Sequence, residues 1–425
     1  MAHPFEVSES LSSSVLDAAR RAGCDHAELR VARIRSQAVA LRDGELETAI
    51  DDTETAMGLR VFKGGAMGFA ATVEGDPDPT ELLEVALQMA RVSGRAQSAP
   101  VELAHEDAHG DIEWVSAHKT DPAAVPLSKK VALLGDWSSR VMAASGVNHV
   151  RASVLAVTED KFLANLAGTT ARQRRVRVHP QLEAVSLGDG GDFETMRTLA
   201  PPVGIGWEYL EGDGWDWDKE LGELPSLLCD KLAAPSVEAG TYDLVIEPTN
   251  LWLTIHESIG HATELDRALG YEAAYAGTSF ATPDQLGTLR YGSPALNVTG
   301  DRTTDHGLAS VAIDDEGVEA QRFDLVREGI LVGFQLDRSV ASAAGLGASN
   351  GCAFADSPLH VPIQRMANVS LAAARGGPST QQLIKGVSRG IYVAGDKSWS
   401  IDMQRHNFQF TGQRFFKIDN GELAG

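Results

Sequence analysis

The stretch Tyr242-Asp-Leu-Val-Ile-Glu-Pro248-Thr249-Asn250-Leu-Trp-Leu-Thr-Ile-His256-Glu257-Ser258-Ile259-Gly260-His261 carries the most information in this chain. Tyr242 to Ile246 reads as a buried strand. Pro248 stops it, and Thr249 or Asn250 can cap a following helix. Helix formers continue through Glu264, Leu265, Arg267, Ala268 and Leu269, and Gly270 supplies a C-terminal stop. These signals predict a helix of roughly 18 residues.

His256, Glu257 and His261 crowd two imidazoles and a carboxylate onto that helix. Neutral imidazole binds zinc, and an adjacent glutamate can deprotonate a water activated by the metal. The spacing is one residue longer than the H-E-x-x-H of the zincins. On an ideal helix, histidines at i and i+5 lie about 140° apart, at about 100° per residue. A local π-bulge brings such residues together, and Gly260 makes the distortion easier. The sequence therefore predicts a distorted helix. The competing reading pairs both histidines with backbone or water.

The chain has 425 residues, enough for two or three domains. Its 37 Lys and Arg against 59 Asp and Glu give a net charge of −22. Such a surface repels phosphates, so no nucleic-acid partner is expected. No signal-peptide pattern opens the chain, and no run approaches the roughly 18 apolar residues of a spanning helix. The expectation is a cytoplasmic protein with no membrane partner. Cys24, Cys229 and Cys352 form no C-x-x-C and read as buried thiols.

An amphipathic helix is expected over residues 8–22, ended by Gly23. Strands at Ala27 to Val31 and Gln37 to Leu41 lead to the hairpin signal Asp43-Gly44. Gly58 to Phe62 and Ala66 to Val73 read as a second hairpin. Pro77-Asp78-Pro79 precedes a helix from Thr80 to Val92, and another helix fits Leu127 to Ala144. Strands fill Val150 to Val185, where Arg172, Arg174, Arg175 and Arg177 read as a solvated face paired with acids. Gly188 to Asp192 reads as a turn. Trp207, Trp215 and Trp217, set among Asp213, Asp216 and Asp218, read as a surface loop with packed aromatics, or else as a sugar or calcium site. Beyond the His-Glu helix, strands are expected at Leu308 to Ile313, Ala320 to Val326, Ile330 to Leu336, Arg365 to Leu371, Gly390 to Val393 and Phe408 to Ile418. The fold class is α+β with two domains. Residues 1–237 form a hairpin-rich N-terminal domain with packed helices. Residues 238–425 form a mostly antiparallel β domain carrying the His-Glu helix.

Several blocks together resemble the TldD/PmbA family of metallopeptidases. They are Glu247-Pro248 leading to His256-Glu-Ser-Ile-Gly-His261, Gly317-Val-Glu-Ala-Gln-Arg322, Glu328 to Phe334 with Asp337-Arg338, Pro362 to Asn368, and Gly390 to Val393 with Phe408 to Phe416. Ala27 to Arg30 and Gly58 to Ala70 match the family's early strands. The resemblance implies zinc held by His256 and His261, with Glu257 as general base. It also implies a TldD-type catalytic subunit, a PmbA-type partner or a homodimer, and an unfolded peptide entering as an extended strand.

In the family the third protein ligand is a cysteine near the C-terminus. Cys352, the only cysteine after the motif, precedes the Arg365 block and does not match it. The expectation is a C-terminally truncated chain. The alternative is a different third ligand, for which His306, His360 and Asp396 are candidates. The rival function is a non-catalytic peptide-binding or assembly subunit with an incomplete metal site.

Overall fold

The computed structural model describes residues 9–73 and 78–425. Its first part is one sheet of long strands: β1 (His26–Arg42), β2 (Glu45–Lys63), β3 (Ala66–Thr72), β4 (Asp111–Val115), β5 (His149–Asn165), β6 (Thr170–Leu187) and β7 (Phe193–Arg197). The order is β3-β2-β1-β5-β6-β4, with β7 also on β6. Only β4 runs parallel to its neighbour. The two strands expected between Ala27 and Leu41 are one continuous strand, β1. Asp43 and Gly44 turn it at φ 52° and 85°, which suits a two-residue hairpin.

Alternation along β1 gives this sheet two unlike faces. Leu29, Val31, Val39 and Leu41 point to the apolar face. Helices α1 (Glu9–Arg21) and α2 (Pro79–Ala96) cover one end of it through Val15, Ala19, Leu83 and Ala86. Asp78 caps α2 by accepting from Thr80 N; Ser8 and Pro77 lie outside the described residues. Helices α3 (Leu127–Met142) and α4 (Trp217–Ala233) cover the other end through Leu134, Leu221 and Leu224. Trp207 and Trp217 belong to this core, and Trp217 stacks on Trp137 with centroids 4.2 Å apart. Both are core residues, and Trp215 packs partly buried against the same cluster. Gly188 to Asp192 forms the expected turn, closed by Gly188 N donating to Asp192 O at 2.8 Å.

The opposite face is polar, yet buried against the second part of the chain. That part holds β8 (Asp243–Ile246), α5 (Pro248–Ile255), α6 (Leu265–Ala268), β9 (Val298–Asp301), β10 (Arg322–Arg327), β11 (Ile330–Leu331), α7 (Arg338–Ala343), β12 (Ala353–Phe354), β13 (Ile363–Gln364), β14 (Asn368–Leu371), α8 (Thr380–Lys385), β15 (Arg389–Ile401), β16 (Phe408–Asp419) and β17 (Glu422–Leu423). Two sheets dominate it, β17-β16-β15-β8 and β11-β10-β9-β14, with β12 and β13 paired separately. β8 is parallel to β15, and the remaining pairs in these sheets are antiparallel. The architecture is α+β with mostly antiparallel sheets.

Charges join the two parts. Arg60 Nη2 lies 2.7 Å from both Glu28 Oε1 and Glu316 Oε1, with all three side chains at most 4% exposed. Burial alone would raise the Glu28 carboxyl, but Arg60 and His26 hold it down at about 2. Lys161 Nζ reaches Asp315 Oδ2 at 2.9 Å, and Arg30 Nη2 donates to His360 O at 2.6 Å. Arg174, Arg175 and Arg177 of β6 are paired with acids as expected, but Arg175 is not solvated. Arg175 is buried and bonds Glu159, which also takes Arg177 and Lys161. Leu308 to Ile313 is not a strand. Its amides turn to other partners, with Ala312 N and Ile313 N donating to Gln173 Oε1 at 2.8 and 3.1 Å.

Removing one member of a buried charge set leaves the others uncompensated. Arg60→Ala should therefore cost about 3–5 kcal/mol, read as a lower urea midpoint. The triple change Glu28→Leu, Arg60→Met, Glu316→Leu should cost much less. Equal losses in both proteins would show that packing, not charge pairing, matters there.

Candidate metal centre

α5 begins with Glu247 as its cap, whose carboxylate accepts from Thr249 N, and with Pro248 in its first turn. The cap thus lies two or three residues before the expected Thr249 or Asn250. Pro248 starts the helix, where its missing N–H costs nothing. The helix is regular only to Ile255. Residues His256–Gly260 form a π-turn, closed by His261 N donating to His256 O. A 3₁₀ turn, His261–Thr263, follows, and Glu264 is extended at φ −71° and ψ 110°. The expected single helix is therefore broken at Glu264, before α6. Gly270, at φ 81°, ends the segment as expected.

The wider turn is what brings the histidines together. Their ring centroids are 4.4 Å apart and inclined at 70°. One ligand atom from each of His256, Glu257 and His261 lies within 4.8 Å of the others. The predicted distortion is present, and it brings together residues that a straight helix would splay apart.

The π-turn is held from outside. Gln335 Nε2 donates to Gly260 O at 2.7 Å, and Gln335 Oε1 accepts from Ala367 N at 2.7 Å. Thr263 Oγ1 donates to Ile259 O at 2.7 Å. A Cβ on Gly260 would sit 2.6 Å from Met366 Sδ, so that side chain occupies the space glycine leaves. Beneath the turn, Ile255 and Ile259 pack on Val298, Leu325 and Val326 of β9 and β10.

Burial pushes the His256 imidazole down to about 4 and the His261 imidazole to about 3, with nearby arginines adding to the effect. Both rings are neutral at physiological pH, as metal ligation requires. His261 Nδ1 lies 2.6 Å from Glu264 Oε2. A carboxylate on one ring nitrogen fixes the tautomer and leaves Nε2 free to ligate. Glu264 is itself fully buried and ion-paired to Arg267 Nε at 2.5 Å. Burial raises its carboxyl to about 7, against the pull of Arg267 and Arg365. The donor set fits zinc: two neutral imidazoles, one of them oriented by a second carboxyl group, beside a carboxylate placed to act as base.

His306, His360 and Asp396 do not join this group. His306 is exposed and its carbonyl accepts from Gly204 N at 2.8 Å. His360 Nδ1 lies 2.7 Å from Asp356 Oδ1, and Asp396 pairs with Arg197 and accepts from Trp252 Nε1. Cys352 is also apart, with burial pushing its thiol up to about 12. Among the described residues, His256, Glu257 and His261 form the sole cluster suited to a metal.

The profile of the PmbA/TldA metallopeptidase C-terminal domain matches residues 239–425, and that of PmbA/TldA metallopeptidase domain 1 matches residues 27–91. The chain belongs to the TldD/PmbA family. A metalloprotease of Methanothermobacter thermautotrophicus is 28% identical over 403 residues, covering 94% of this chain and 83% of that protein. A metalloprotease TldD homolog of Haemophilus influenzae is 24% identical over 99% of this chain and 85% of its own length. A zinc metalloprotease TldD homolog of Saccharolobus solfataricus is 28% identical over 50% of this chain and 45% of its own length. The fold is shared with TldE of Thermococcus kodakarensis, at TM-score 0.67 and 16% identity, covering 98% of this chain and 89% of that one. A candidate modulator of a DNA gyrase from Thermotoga maritima superposes with TM-score 0.76 at 15% identity, covering 98% and 89%.

Two residues that hold the turn, Glu264 and Gln335, are not among the candidate site residues of the sequence. Glu264 follows His261 at i+3, a spacing that puts both on one helix side. Gln335 has no such signal, because only the tertiary fold brings it to Gly260. Glu264→Ala should weaken zinc binding roughly 10–100-fold, measured by competition with a chromogenic chelator. Gln335→Leu should cost about 1–3 kcal/mol, read by urea unfolding, because it orphans Ala367 N, while Gly260 O keeps the bond from Thr263 Oγ1.

Proposed function

We propose that this chain is a TldD-type zinc metallopeptidase subunit that hydrolyses unfolded or extended peptides. The observation that carries the reading is the convergence of His256, Glu257 and His261 on one point, with ligand atoms within 4.8 Å of one another. Zinc bound there would polarise the scissile carbonyl and acidify a water. His256 and His261 would hold the ion. Glu257, buried beside them, takes the proton from the attacking water and returns it to the leaving amine. Glu264 keeps the His261 ring in the ligating tautomer.

The substrate class follows from the same reading. Relatives named metalloproteases cover most of this chain, which favours peptides. An extended peptide binds through its main chain with little sequence preference. The fold likeness to a protein named TldE supports a paired assembly, with a PmbA-type partner subunit or a second copy. We take residues 1–237 and 238–425 as the two domains. Among the described residues no helix is long and apolar enough to cross a membrane.

Elemental analysis and a peptide-hydrolysis assay test this together. The wild-type chain should carry about one zinc, and His256→Ala should carry none. Glu257→Ala should keep the zinc and lose hydrolysis by at least ~100-fold. Hydrolysis that survives in Glu257→Ala would remove the assigned base. A wild-type chain that takes up no zinc would favour a non-catalytic peptide-binding or assembly subunit.

A further inference from the structure

Trp252 stands four residues before His256, so the two share one side of their helix. Their ring centroids are 6.0 Å apart and inclined at 67°. The tryptophan touches the candidate ligand, yet it is 47% exposed.

The ring is also fixed in place. Trp252 Nε1 donates to Asp396 Oδ1 at 3.1 Å. Asp396 Oδ2 pairs with Arg197, whose Nη2 also donates to Asp396 O at 2.9 Å. Helix α5 is tied to the same stretch of β15. Gly395 N donates to Thr249 Oγ1 at 3.0 Å, and Asn250 Nδ2 donates to Gly395 O at 2.9 Å. The polar tip of the indole is therefore satisfied within the protein, and the surface it leaves to solvent is apolar. A ring pinned in this way loses little freedom when something covers it.

In an extended peptide successive residues are about 3.3 Å apart. A side chain one or two residues from a bond held at His256 is thus within reach of an indole whose centre lies 6.0 Å from that imidazole. Resting on the peptidase reading, we propose that Trp252 is a specificity-determining residue, whose open ring packs against an aromatic or large aliphatic side chain of the substrate beside the scissile bond. Main-chain pairing alone has little sequence preference, so Trp252 adds a choice at one position. Aromatic pairs gain from offset or edge-on contact beyond the area they bury. A lysine can also lie on an indole, but Arg267 and Arg405 act on the same imidazole and repel a cation there.

Calorimetry on the full chain supplied with zinc tests this, in a Glu257→Ala background that leaves the peptide uncut. The probes are an N-acetylated, amidated alanine pentapeptide with phenylalanine at its centre, the all-alanine peptide, and one with lysine at its centre. The phenylalanine peptide should bind roughly fivefold tighter than the all-alanine one, or more. Adding Trp252→Ala should bring the two within about twofold of each other. Where Trp252→Ala does not fold, Trp252→Leu serves, and should at least halve the preference. Equal affinity for phenylalanine and alanine, tighter binding of lysine, no binding of any probe, or a preference that survives loss of the indole would overturn the assignment. Zinc is measured in the same samples. Zinc absent with the preference intact counts against the peptidase reading alone, and zinc present without the preference counts against Trp252 alone.

Discussion

One backbone hydrogen bond, from His261 N to His256 O, shapes everything at the candidate centre. It spans five residues instead of four, and that single step changes which side chains share a side of the helix. In a regular helix the two imidazoles diverge. In the π-turn they meet, with Glu257 between them. The turn is held in place, because Gln335 and Thr263 bond its carbonyls and Met366 packs where a Cβ on Gly260 would sit. A π-bulge costs hydrogen-bond geometry, and here tertiary contacts offset that cost.

Those contacts depend in turn on how the second part of the chain is seated. β9 and β10 support the turn from below, and the segments around them carry the charged and polar groups that meet the long sheet. Asp315, Glu316 and the backbone at Ile313 bond to Lys161, Arg60 and Gln173. A polar sheet face buried this way needs its charges paired. The resulting network is specific in position, because a one-residue slip of any strand would turn its charges toward the apolar face.

Much of the centre was legible in the sequence because it is local. His256, Glu257, Gly260 and His261 lie within two turns, and helical angles alone require a distortion if both histidines bind one ion. The hairpin at Asp43-Gly44 and the helix of residues 127–142 were legible for the same reason. What was not legible is long-range. Gln335 meets Gly260 only in the folded chain. Arg175 looks solvated in an acidic sequence, yet it is buried against Leu308 and Phe354 of the second part. Trp207 and Trp217 sit among aspartates, which disguised them as loop residues, yet their rings fill the core under α3 and α4. Leu308 to Ile313 has a strand's composition, but its amides bond a glutamine side chain instead of a neighbouring strand.

We propose that the π-turn places His256 and His261 on one zinc ion. Anomalous diffraction at the zinc edge from zinc-loaded crystals tests it most directly. A single strong peak is expected within bonding distance, about 2.0–2.1 Å, of one ring nitrogen from each histidine. A peak bonded to other residues, or none at His256 and His261, would contradict it.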